Sequence, residues 1–188
     1  MGTVIEVDAV SKRFGALNVI EELSFTLQEG EALGVVGANG AGKPTTLNMI
    51  AGDFRPTSGR IRFDGKDVTG VSAYKRSRLG IGRTSQIPRP FEGLTVFENV
   101  LVGASFGGAH RGHAARDVAV DALRRTGMLA KANVRAGQLT LLERKRLELS
   151  RALATEPKVL LLDEIAGGLT DGEVHELVET IKNIHAQG

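Results

Sequence analysis

The residues best placed to do chemistry stand in two short clusters. Residues 37–46 read GANGAGKPTT, so Gly37 and Gly42-Lys43 are separated by four residues. That spacing is most of a phosphate-binding loop, with Gly37, Ala38, Asn39, Gly40, Ala41 and Gly42 turning backbone N–H groups inward and Lys43 supplying an ammonium. The position after the lysine normally carries a Ser or Thr whose hydroxyl serves magnesium; here it is Pro44, with Thr45 and Thr46 next. Proline is acceptable in a first helical turn but removes that hydroxyl and one N–H. The second cluster is Asp163-Glu164, at the end of the apolar run Val159–Leu162. A carboxylate pair at the C-terminal end of a buried strand suits metal binding by Asp163 and activation of water by Glu164. An ordinary strand end or helix cap would carry the same pair; the glycine loop 120 residues earlier favours the joint reading.

These clusters need a strand, a loop and a helix each. Residues 3–8 and 19–27 predict strands, and Glu29-Gly30-Glu31 a turn. The run Ala32–Val36 predicts a strand buried on both faces of a parallel sheet, and the stretch around Thr45–Ala51 a helix stopped by Gly52. Residues 60–63 predict a strand entering a tight turn at Asp64-Gly65. Residues 95–106 open with Thr95 and Glu98 at capping-box spacing. A glycine-rich loop is expected over 107–113, helices over 116–126 and 140–155, and a strand over Lys158–Leu162. Val174, Leu177, Val178, Ile181 and Ile184 have helical spacing. This order predicts an α/β core with a helical lobe.

Composition narrows the class. The 188 residues include no cysteine and no tryptophan, which excludes disulfides, thiolate metal sites and a rich base-stacking surface. The net charge of +2 argues for no polyanion partner. Glycine is the outlier at 24 residues, concentrated at turns and at the phosphate loop. The start of the chain resembles neither a signal peptide nor a myristoylation site, and no apolar run is long enough to span a bilayer, so an intracellular soluble chain is expected. The basic run Arg144-Lys145-Arg146 reads as a solvated helix face rather than a nucleic-acid site. His110 and His113 read as surface-loop residues, His175 and His185 as exposed.

Over essentially its whole length the sequence resembles the ABC-type ATPases, and among them the ATP-binding subunits of branched-chain amino-acid importers. The resemblance is carried by KRFGAL, GANGAGK, GIGRTSQIPRPFEGLTVFENVLVGA and LTLLERKRLELSRALATEPKVLLLDE. It implies one P-loop NTPase domain over residues 1–188, with an antiparallel β subdomain and a helical subdomain at roughly 90–157. It implies ATP and Mg²⁺ as ligands, Phe14 stacking on adenine, and Pro44 and Thr45 closing the nucleotide loop. Gln86 would reach the metal and the attacking water beside Asp163, with Glu164 as base. Leu139, Thr140, Leu141, Leu142 and Glu143 stand at the signature segment, where Leu141 and Leu142 replace the usual glycines. Thr170, after Gly168-Leu169, replaces a usual Asp. A switch histidine would fall near position 194, so the resemblance implies a chain cut before its last core strand. Implied partners are membrane permease subunits, met through the loop Ile87–Leu94, and a second ATPase subunit, identical or homologous; nucleic acid is not implied. The implied location is the cytoplasmic face of the plasma membrane. The competing readings are a docking module with little ATPase activity, because of Pro44, the altered signature and the missing histidine, and a soluble ABC protein of repair or translation, which the permease-like loop argues against.

Overall fold

A computed structural model describes residues 2–108 and 110–187. The chain divides into two compact units, Met1–Arg76 and Ser77–Gly188. In the first, β1 (Thr3–Phe14) pairs antiparallel with β2 (Leu17–Gln28) and with β3 (Ser58–Phe63), and β3 pairs with β4 (Lys66–Asp67), in the order β2-β1-β3-β4. Alternation sets the register: Ile5 faces Phe63 and Val7 faces Ile61 across the β1/β3 ladder, and all four are buried. The ladder shifts between Asp8 and Ser11, where Ala9 has φ 46°. Gly59 fills the space left opposite, because a Cβ there would lie 2.3 Å from the Ala9 carbonyl oxygen.

The first helix, α1 (Lys43–Ala51), ends at Gly52, whose φ of 92° is the left-handed stop expected of glycine. Its last carbonyls are held by a residue the sequence did not single out. Arg76 is fully buried and donates to Met49 O at 2.7 Å, Ile50 O at 2.8 Å and Val71 O at 3.0 Å. A guanidinium is suited to this because its forked donors satisfy several orphan carbonyls at the negative end of a helix. Burial lowers its pKa, and the carboxylates of Asp67 and Asp53 oppose that shift. The helix α2 (Ala73–Leu79) contains the boundary between the units.

One expected strand is absent. Residues 32–36 have no regular structure, pair in no sheet and are exposed throughout, Val36 to 93%. A continuous apolar run signals a parallel strand only if non-local neighbours take up its N–H and C=O groups. The sheet of the first unit is built from antiparallel neighbours and does not take it up.

The second unit holds β5 (Ile81–Arg83) parallel to β6 (Val159–Leu161), with Arg83 opposite Leu161. Around this pair the sequence forms α3 (Val96–Val102), α4 (His113–Arg125), α5 (Leu141–Leu153) and α6 (Asp171–Ala186). Val96, Val100, Leu123, Leu147, Leu149 and Leu177 form the centre of their shared core. The helix expected over 95–106 is α-helical only to Val102 and continues as a π-helical turn, Gly103–Gly107. Gly103 permits close packing there, since a Cβ would lie 2.7 Å from Arg151 O. The helix expected over 140–155 stops at Leu153, ahead of Pro157. Of the loop expected over 107–113, Ala109 lies outside the described residues, and α4 already begins at His113.

Among the described residues, α3, α5 and α6 start with reciprocal capping boxes: Thr95 with Glu98, Thr140 with Glu143, and Thr170 with Glu173. Each box satisfies two donors that a helix start leaves unpaired. The backbone N–H and then the hydroxyl of Thr170 hold the Glu173 carboxyl below the usual glutamate range. A depressed carboxyl stabilises the fold above the ordinary glutamate range and loses that effect as pH falls through its lowered range. Thr170→Ala is expected to reduce stability by about 1 kcal/mol in urea unfolding. Hydrogen exchange in the first turn of α6 is expected to quicken, relative to the intrinsic rate, as pH falls below the ordinary glutamate range.

Candidate functional site

In the first unit the glycine loop is shaped by its own backbone. The Ala41 N–H donates to Ala38 O at 3.1 Å, closing a turn through exposed Asn39 and through Gly40, whose φ is 83°. Gly42 then takes φ 82° as the residue before α1, and a Cβ on it would lie 3.0 Å from Val19 O. Position 42 therefore needs glycine twice, for its backbone angle and for its approach to β2. Lys43 folds back over the loop, its Nζ 2.6 Å from Gly37 O and 2.9 Å from Ala38 O. The ammonium is thus held on two carbonyls of the loop that precedes it. Pro44 occupies the first turn of α1, and Gly42 provides no side-chain cap. Thr45 is half-buried, and the Thr46 hydroxyl is buried and donates to Gly42 O at 3.2 Å. At the end of β1, Phe14 is 43% exposed, with its ring edge-on to Phe54 at 5.5 Å and Lys12 Nζ 4.8 Å from its centroid. It is an accessible aromatic face of the kind a flat base could stack upon.

In the second unit the acidic pair stands just past β6. Asp163 is buried, 4% exposed, and accepts from Arg83 at 3.2 Å. Glu164 is exposed and has φ 43°, so the chain leaves the strand direction at this residue. Its Oε2 accepts from Gln86 Nε2 at 2.5 Å. The structure therefore joins two of the expected site residues, Gln86 and Glu164, from segments 78 residues apart. Both lie above Lys145, which is buried and donates to Gln86 O at 2.9 Å. Burial lowers the Lys145 ammonium below the usual lysine range, and the carboxylates of Glu164 and Glu148 oppose the shift.

The basic run is not the solvated face expected of it. Lys145 is 3% exposed, Arg144 donates to Leu139 O at 3.1 Å and Gly137 O at 3.0 Å, and Arg146 pairs with Glu176 at 3.2 Å. Three consecutive cations on a helix point in three directions, and each found a different acceptor. The signature segment is likewise structural at most of its positions. Leu139 and Leu142 are buried, Thr140 and Glu143 form the capping box of α5, and Glu143 also pairs with Lys131. Leu141 is exposed and lies against Gly168, where a Cβ would meet its Cδ2 at 3.2 Å. Thr170 serves as the cap of α6. In the loop Ile87–Leu94, Ile87, Phe91 and Leu94 are exposed. His110 pairs with Glu156, and His175 and His185 are exposed. Among the described residues no group of three or more His, Cys, Asp and Glu could hold a metal by itself.

Magnesium in nucleotide sites takes one or two carboxylates and fills its shell with phosphate oxygens and water. Asp163 is such a carboxylate, a hard oxygen donor already facing a cation in Arg83, and Gln86 has an amide oxygen. These residues fit the ion, whereas Pro44 adds no oxygen to it. Neither Arg83 nor Lys145 carries a sequence signal of its role. Arg83 closes β5 opposite the last residue of β6, and only the strand register reveals that it reaches Asp163.

Residues 20–167 match the ABC transporter family. The chain belongs to that family. It is 35% identical to the high-affinity branched-chain amino acid transport ATP-binding protein LivG of Salmonella typhimurium, over 96% of this chain and 76% of the relative. It is 32% identical to the corresponding protein BraF of Pseudomonas aeruginosa, over 98% of this chain and 78% of that one. A solved ATP-binding cassette of an ABC transporter superposes with a TM-score of 0.91 at 27% identity, covering 100% of this chain and 79% of its own. The fold is that of the P-loop ABC ATPases, and the chain is a nucleotide-binding subunit of that class. Among the described residues no helix is long and apolar enough to cross a membrane.

Gly42→Ala places a Cβ at φ 82° against the Val19 carbonyl. It is expected to cost about 1–2 kcal/mol in chemical denaturation and to weaken ATP binding, measured by titration with a fluorescent ATP analogue.

Proposed function

We propose that this chain is the ATP-hydrolysing subunit of an ABC importer for branched-chain amino acids. It would work on the cytoplasmic face of the membrane, docked on permease subunits and paired with a second ATPase subunit, identical or homologous. The observation that carries the enzymatic part is the Gln86–Glu164 hydrogen bond, which holds an amide against an exposed carboxylate just past β6. A carboxylate there is a general base, and the neighbouring amide is a means of orienting a water on it. The named transport role of the relatives supports the solute class.

In this reading Phe14 stacks on the adenine, and the backbone of Gly37–Gly42 receives the phosphates. Lys43 exchanges its two loop carbonyls for phosphate oxygens, and the N-terminal end of α1 adds its positive dipole. Glu164 takes the proton of a water as its oxygen attacks the terminal phosphorus. The bond to the leaving oxygen breaks, giving ADP and phosphate. Asp163 and Gln86 would hold magnesium, which neutralises charge on the phosphate oxygens when bound. Arg83 keeps the Asp163 carboxylate oriented and paired. The exposed apolar side chains of Ile87 and Phe91 are the surface we assign to the permease.

Steady-state ATPase and nucleotide titration test this. Glu164→Gln should lower kcat by about 10²–10⁴ and leave nucleotide affinity unchanged. Lys43→Ala should weaken binding itself. A Glu164→Gln variant that hydrolyses ATP at the wild-type rate overturns the assignment. Pro44→Ser restores a hydroxyl and an N–H beside the phosphates, and should raise Mg-ATP affinity by about tenfold. Leucine uptake by vesicles carrying the chain with its permease tests the solute class.

A further inference from the structure

The segment between β5 and α3 carries Gln86 and has no regular structure, so its backbone groups need partners from elsewhere. Several of these come from one helix. On α5, Lys145, Glu148 and Arg151 are spaced three residues apart and follow one stripe of the helix surface. Lys145 Nζ donates to Gln86 O at 2.9 Å. Glu148 Oε1 accepts from the Arg89 N–H at 3.1 Å. Arg151 donates to Arg89 O at 3.1 Å, pairs with Glu148 at 2.7 Å, and lies over the Phe91 ring at 5.2 Å. On the far side, the Asn99 side chain accepts from the Phe91 N–H at 2.8 Å and donates to Phe91 O at 3.1 Å.

Lys145 and Glu148 are 3% and 6% exposed. Two charges are withdrawn from water here, which is costly unless their partners are close and well aimed. Apolar residues would pack α5 at lower cost, so packing alone does not account for them. What they reach in common is the backbone on either side of Ile87 and Pro88. The uppermost acceptor is the carbonyl of Gln86, the residue whose side chain meets Glu164.

We infer that Lys145 is a positioning residue for the hydrolytic pair. By fixing the Gln86 carbonyl it sets the direction in which the Gln86 amide leaves the backbone, and so its reach to Glu164. Glu148 and Arg151 hold the following turn, so that Lys145 acts on a fixed loop. This rests on the ATPase reading above, and the test separates the two.

The full chain is compared with Lys145→Met, Lys145→Arg and Glu148→Gln by hydrogen exchange, nucleotide titration and steady-state ATPase. In Lys145→Met, exchange of the Gln86, Ile87, Arg89 and Phe91 amides should rise about tenfold or more, since a charge-assisted hydrogen bond is lost. Its kcat should fall by a similar factor, with nucleotide Kd within twofold of wild type. Lys145→Arg keeps charge and donor and should restore both quantities; a purely structural role for the lysine predicts no such link between loop exchange and kcat at constant Kd. Glu148→Gln should loosen 89–91 more than Gln86, and serves as the second probe if Lys145→Met does not fold. Unchanged exchange at 86–91 overturns the proposal, as does raised exchange with wild-type kcat. If the wild-type chain binds nucleotide but does not hydrolyse it, the ATPase reading fails, and the exchange comparison still decides whether Lys145 holds the loop.

Discussion

The second unit is organised around one buried charge. Asp163 lies at the end of β6 with 4% of its surface exposed, and a carboxylate in that position must have a cation. Arg83 meets the need because β5 and β6 are in parallel register, with Arg83 opposite Leu161 and two residues from Asp163. Adjacent residues of an extended chain point to opposite sides, so continuing the strand would direct Glu164 away from any shared site. The chain leaves the strand instead. Glu164 takes φ 43°, at a cost of about 1–2 kcal/mol for a residue with a Cβ. The following turn, closed by the Gly167 N–H on Glu164 O at 3.0 Å, retains it. Strain of this kind is kept where the side chain has a task, and here the side chain meets Gln86.

The helix α5 carries much of the rest. Its apolar side holds Leu142, Leu147, Leu149 and Leu153 in the core. Its polar side is nearly as buried and largely engaged, with Lys145 on Gln86, Glu148 on Arg89 and the Ser150 hydroxyl 2.7 Å from that of Thr126, while Arg146 Nε is buried without a partner. A helix buried nearly all round can keep charges only where each finds a partner. Those partners lie in distant segments, so α5 ties the loop after β5 to α4. The close approach of Gly103 to Arg151 O adds the start of the π-helical turn to the same assembly.

How much of this is legible in the sequence depends on the range of the interaction responsible. Capping is local, so Thr95 with Glu98 announced a helix start that the structure contains. The same spacing at Thr140 and Glu143 is an equally local signal, although the resemblance places those residues in a signature segment. Gly52 as a helix stop and the hydrophobic spacing of α6 are local too. The strand expected over 32–36 failed for the opposite reason: its apolar run is local, but the pairing it needs is not. Lys145 belongs to the same category. Beside Arg144 and Arg146 it reads as one of three surface cations, and only contact with Gln86, 59 residues away, separates it from them. Burial of a charge is decided by its partner, and a partner at that separation leaves no periodic trace.

The helix starts divide in a way that follows from electrostatics. A helix N-terminus presents unpaired N–H groups and a positive dipole, so something negative must meet it. At α3, α5 and α6 the negative group is internal: Glu98, Glu143, and Asp171 with Glu173 lie in the first turns, and each box includes a threonine. These ends are satisfied by the chain itself. At α1 there is no acidic residue in the first turn and no side-chain cap, and Lys43 adds a positive charge. Pro44 removes one N–H but leaves the field, because the dipole comes from the whole helix. Position 42 is a glycine that can place no side chain over that end. Helix α4 likewise follows a glycine and has no side-chain cap and no acidic residue in its first turn, so what distinguishes α1 is the glycine loop and Lys43 at its start rather than the missing cap. The start of α5 is closed in the same way as those of α3 and α6: the Thr140 and Glu143 N–H groups are both engaged in its capping box, and Leu142 is buried.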